Sequence, residues 1–111
     1  MTNSDAPTLS KKRYFRVKNL EKWQHYKDRN PPWIKLHRDV LNDYAFSCLQ
    51  DDSKLHLVMI WLLASQMDNR LPWDSDWIAN RINANNFVDL DLFLSAGFIE
   101  IIGDDSTSVA T

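Results

Sequence analysis

Ten of the thirteen lysines and arginines fall between positions 11 and 38, and their types and spacing suit the chemistry of phosphate neutralisation. Lys11, Lys12, Arg13, Arg16, Lys18, Lys22, Lys27, Arg29, Lys35 and Arg38 face only Glu21 and Asp28 there, an excess of +8. Residues 39 to 111 carry Lys54, Arg70 and Arg81 against twelve acids, or −9, and Asp5 completes the net charge of −2. The chain is a charge dipole along its length. A phosphate backbone rewards such clustering, because each neutralised phosphate releases condensed counterions. An ordinary solvated surface has no reason to segregate its charges in this way. Trp23 and Trp33 lie among the cations, a mixture that suits stacking on bases and equally suits a protein interface.

Nothing in the sequence is spaced for catalysis. His25, His37 and His56 have no i, i+4 partner among themselves and stand in no metal-ligand motif. Cys48, in the apolar lead-in to a helix, reads as a small core residue. As the single cysteine it excludes an intramolecular disulfide and agrees with a reducing compartment. Gly97 and Gly103 are the only glycines, too few for a phosphate-cradling loop. Serine, histidine and aspartate are present without nucleophile-elbow spacing. The expectation is therefore no enzyme, no catalytic residue, no metal and no cofactor.

The elements that must position the cations fit one core, since 111 residues do not divide into two stable domains. Residues 1–12 read as a flexible leader, 13–102 as the domain, and 103–111 as a polar tail or the start of a linker. The longest apolar run, Leu57 to Ala64, is eight residues, far short of the roughly 20 that cross a bilayer. No secretory signal precedes it. A cytoplasmic protein of a bacterial host is expected, with no membrane partner.

In RYFRVKN, Phe15 and Val17 alternate with Arg16 and Lys18 as in a half-buried strand. LEKWQHYKDR leaves helix and irregular structure both open, until Pro31 and Pro32 stop it. WIKL suggests a second short strand or extended segment, and HRDVLNDYAF a short helix with Val40, Leu41 and Tyr44 inward. Asp51, Asp52 and Ser53 are good caps for KLHLVMIWLLASQM, a helix apolar on nearly every side and so central. Trp61 and Trp77 read as core side chains. Asp74 or Ser75 caps the next helix, whose inner face is Ile78, Ala79 and Ile82. Asn83 to Asn86 suit a turn with left-handed backbone. FVDLDLFLSA makes the last helix, Gly97 ends it, and Phe98 to Ile102 form a strand. This order predicts a mainly α fold with a small β-sheet, a winged helix-turn-helix with a basic N-terminal extension.

The last helix carries Asp89 and Asp91 and no cation, so its exposed stripe repels phosphate. Base reading then falls to Asn85 and Asn86 at its N-terminal end, with Arg81 on a phosphate. Backbone contacts fall to Lys11, Lys12, Arg13, Arg16 and Lys18, extended by Lys35 and Arg38. Alternatively the last helix packs or dimerises while the basic arm holds DNA, or the fold binds protein alone.

The run from RNPPWIKLHRDVLNDYAF through LLASQMDNRLPWDSDWIANRIN, followed by VDLDLFLSAGFIEI, resembles the N-terminal segment of bacteriophage and prophage replication proteins, the origin-binding replisome organisers. YFRVKNLEKWQHYKDRNPPWIKLHRD and LLASQMDN are its most specific pieces, and the likeness spans residues 13–102. The resemblance implies a winged helix that binds double-stranded DNA at a mobile-element origin. It also implies a following linker, which GDDSTSVAT looks like, and a further region, not in this chain, that meets the replicative helicase or its loader. A homodimerising or protein-interaction module is the alternative, as is a transcriptional repressor of the same fold.

Overall fold

Strand β1, Tyr14–Val17, buries Phe15 and Val17 and turns Arg16 outward, the alternation its sequence predicts. This computed structural model describes residues 13–20 and 33–103. The 1–12 leader, the segment 21–32 with Trp23, and residues 104–111 of the tail lie outside it. The described part is a small α+β domain of four helices and a three-stranded antiparallel sheet. A 3-10 turn at Arg38–Asn42 leads into α1, Tyr44–Ser47, and then α2, Asp51–Gln66. The two-residue strand β2, Leu71–Pro72, precedes α3, Ser75–Ile82. Helix α4, Leu90–Ser95, and strand β3, Ile99–Ile102, complete the order.

The sheet runs β2-β1-β3, so the N-terminal strand is its centre. Its inner face meets α2, α3 and α4 in one core of Phe15, Val17, Leu57, Ile60, Trp61, Leu71, Ile78, Ile82, Val88, Phe93 and Ile99 with their buried neighbours. A fully buried side chain of this size contributes about 1.5–3 kcal/mol by leaving water. The front of the chain is therefore part of the core.

Turn chemistry fixes how the helices enter and leave. Asp74 caps α3 by accepting the Trp77 N–H at 3.1 Å, and Asp89 caps α4 by accepting the Leu92 N–H at 3.1 Å. Asn83 closes α3 in the left-handed conformation at φ 57°, as its residue type predicts, and Gly97 ends α4 at φ 88°. Helix α2 differs from expectation. It begins at Asp51 with Gln50 as an N-cap that makes no side-chain bond, so Asp51 and Asp52 act inside the first turn, where their charge complements the helix dipole.

WIKL lies in no helix or sheet, which excludes a strand and leaves the extended segment. Two further expectations are corrected. Leu41 and Tyr44 are 80% and 82% exposed, while Val40 is half-buried. A 3-10 turn and a four-residue helix offer too little surface to bury a full apolar stripe. Finally, α4 starts only at Leu90, which leaves Phe87 outside the helix and exposed while Val88 is buried.

Asn69 completes the sheet. The pairs Tyr14–Pro72 and Phe15–Leu71 set a register that places residue 69 opposite Val17. There the backbone of Asp68 and Asn69 is left-handed, at φ 56° and 55°, and cannot continue a strand. The Asn69 side chain stands in for it: Oδ1 accepts the Val17 N–H at 2.7 Å and Nδ2 donates to the Val17 carbonyl at 2.9 Å. Asn69→Ala is expected to cost about 2 kcal/mol of unfolding free energy in urea titration, because it strands two polar groups of the central strand. Asn69→Gly, which keeps the left-handed turn at ease, should still lose most of that stability; a neutral glycine variant would assign the role to backbone conformation instead.

Candidate nucleic-acid interface

The sheet and the segment after residue 32 bring part of the cationic third together. Arg13 is exposed just before β1, anchored by its carbonyl, which accepts the Trp73 N–H at 2.9 Å. Lys18 is exposed just after β1, where its N–H donates to the Phe98 carbonyl at 3.0 Å. Beside it runs a groove of about 440 Å³ lined by Lys18, Leu36, His37, Asp39, Trp61 and Phe98 among others. Lys18 thus shares an edge with the segment that carries Lys35 and Arg38, both exposed. Arg13, Lys18 and Arg38 have no carboxylate within ion-pair distance among the described residues. Lys11 and Lys12 fall outside the described residues.

Arg16 departs from this pattern. It lies directly opposite Glu100 on β3, and its Nε forms an ion pair with the Glu100 carboxylate. The antiparallel register places both side chains on the sheet's outer face. The same face carries Arg70, stacked 4.2 Å over the Tyr14 ring. Arg16 is therefore neutralised where it stands. Residues 84 positions apart are paired here, and no local pattern announces that register.

The turn between α3 and α4 separates its three candidate residues. Arg81 is exposed in the last turn of α3, with its guanidinium 5.7 Å above the Trp77 ring. Asn85 is exposed. Asn86 is engaged, donating from Nδ2 to Asp52 Oδ2 at 3.2 Å and so tying the turn to the start of α2. That contact places the turn, just ahead of α4, beside Asp52, and Asp91 is exposed on the helix itself. The surroundings of the turn are acidic, and of the two asparagines Asn85 alone is left to reach outward.

Among the described residues no three His, Cys, Asp or Glu side chains are grouped to hold a metal ion. His37 Nδ1 accepts the Asp39 N–H at 3.1 Å, an N-capping role. His56 is buried in α2. Cys48 is exposed and not the core residue its neighbours suggest; α1 is too short to cover it. The Cys48 thiol holds the Tyr44 phenol above its ordinary range, first as a hydrogen-bonding neighbour and then through its charge. Among the described residues no helix is long and apolar enough to cross a membrane. No protein-family model, no curated protein and no solved structure matches this chain.

The Arg16–Glu100 pair is half-exposed, a class of ion pair that contributes at most about 1 kcal/mol. Glu100→Gln should accordingly leave the urea midpoint close to that of the unaltered chain. A large loss would show that the pair holds β1 against β3, which the geometry assigns to the backbone ladder and the apolar inner face.

Proposed function

We propose that the chain is a winged-helix module that docks on duplex DNA through phosphates, as the origin-recognition part of a phage-type replication initiator. The observation that carries the reading is the edge at the end of β1, where exposed Lys18 and the segment of Lys35 and Arg38 border one groove, with Asp39 and Asp43 also in its lining. Arg13 stands at the other end of β1, and Lys11 and Lys12 precede it in the sequence. The order of α2, β2, α3, turn, α4 and β3 supports the helix-turn-helix part of the reading. In a winged module the strand after the last helix turns back in a hairpin, whereas here β3 has β1 as its sheet neighbour.

The division of labour follows from the surroundings of each side chain. Arg13, Lys18, Lys35 and Arg38 take phosphates, Arg81 takes one from the end of α3, and Asn85 alone offers base reading. Arg16 contributes only when a phosphate displaces Glu100, and Asn86 positions the turn. The initiator assignment rests on the resemblance of residues 13–102, and with it go a helicase or loader as partner and the cytoplasm of a bacterial host.

Two outcomes test this. Affinity for a random duplex should fall steeply with salt, and each of Arg13→Ala, Lys18→Ala and Arg38→Ala should reduce the log–log slope by about 0.9. Arg16→Ala should reduce it less, and Glu100→Gln should strengthen binding by freeing a cation. Binding that ignores salt, or no retardation at all, would end the proposal. Asn85→Ala should weaken only a specific site, by about 1–3 kcal/mol, and leave random duplex unchanged.

A further inference from the structure

The starts of α2 and α4 form a surface unlike the proposed phosphate edge. Leu55 lies three and four residues after Asp52 and Asp51, so the three side chains adjoin on the helix. The Asn86–Asp52 hydrogen bond brings the α3–α4 turn against them, and the next residue is Phe87. Phe87 is 72% exposed and Leu55 60% exposed, side chains that ordinarily seek cover. Lys54 approaches Asp51 at 3.8 Å, and Asp52 meets only the neutral amide of Asn86, so the patch remains acidic. It therefore suits an apolar segment flanked by cations.

The chain itself exposes such a segment. From Trp33 to His37 the backbone is in no helix or sheet, with His37 extended at φ −76° and ψ 136°, and Arg38 opens the 3-10 turn. Leu36 is 55% exposed between Lys35 and Arg38. The extended backbone at His37 puts its two neighbours, Leu36 and Arg38, on one side. We infer that the Leu55–Phe87 patch, rimmed by Asp51 and Asp52, is a self-association site that takes the Lys35–Arg38 segment of a second copy. Leu36 covers Phe87 and Leu55 while Arg38 meets the two carboxylates. A two-fold arrangement makes this contact twice and closes at two chains. The segment also belongs to the proposed phosphate edge, so a second copy and a duplex exclude one another there.

The test is sedimentation of the full chain without nucleic acid, so that it is decided separately from DNA binding. The mass should rise from 13.0 kDa toward twice that value across the micromolar to millimolar range, and less so at high salt. Lys35→Glu with Arg38→Glu, and separately Asp51→Lys with Asp52→Lys, should each stay single, whereas their equimolar mixture should pair again. Recovery on mixing also shows that both variants are folded. Phe87→Ser, outside any helix, should weaken pairing about tenfold or more. A mass that stays at one chain, a mixture that fails to pair, or a Phe87→Ser protein that pairs as before overturns the inference.

Discussion

The structure depends on satisfying both edges of a strand that comes from the front of the chain. β1 is the middle of the sheet, so each of its polar backbone groups needs a partner on one side or the other. β3 covers one edge along the whole strand. β2 is two residues long and covers only half of the other, and the Asn69 amide covers the rest by taking both polar groups of Val17. With the edges closed, Phe15 and Val17 can lie in the core. Arg13 and Lys18 then project from the ends of a rigid strand, which lowers the entropy lost when they meet a charged partner.

Much of the local structure is legible in the sequence because its causes are local. The period-two alternation of Phe15 and Val17, the cap at Asp74, the left-handed Asn83 and the terminating Gly97 each follow from a residue's own geometry. The all-round apolar α2 is legible for the same reason. What could not be read depends on which distant segments meet. Glu100 neutralises Arg16 and Asp52 holds Asn86 only because tertiary packing sets β1 against β3 and the turn against α2. From His37 to Cys48 the apolar residues have helical spacing, but the helices that form there are too short to bury them, and Leu41, Tyr44 and Cys48 face outward.

The acidic end of α4 has a physical reason that bears on any DNA reading. Asp74 and Asp89 spend their carboxylates on capping N–H groups, and Asp51, Asp52, Asp76 and Asp91 sit in first turns. A helix start presents roughly half a positive charge, which one nearby carboxylate cancels. Helix starts built this way are stable and poor hosts for phosphate. The sequence thus stabilises its helices with the groups that disqualify them as anion sites, and exposed Arg13 and Lys18 stand instead at the two ends of β1.

The Arg16–Glu100 pair lies on the outer face of the sheet, between Arg13 and Lys18 along β1. A half-exposed pair gains at most about 1 kcal/mol, an amount comparable to what one phosphate supplies through counterion release at moderate salt. Exchange of Glu100 for a phosphate is therefore close to balanced, and its direction depends on ionic strength. Among the described residues Arg13, Lys18 and Arg38 have no carboxylate to give up, and in the proposed mode they bind first, with Arg16 following only where the duplex already lies along β1. The outer face of the sheet then acts as a graded surface, in which contact begins at the strand's ends and reaches its middle last.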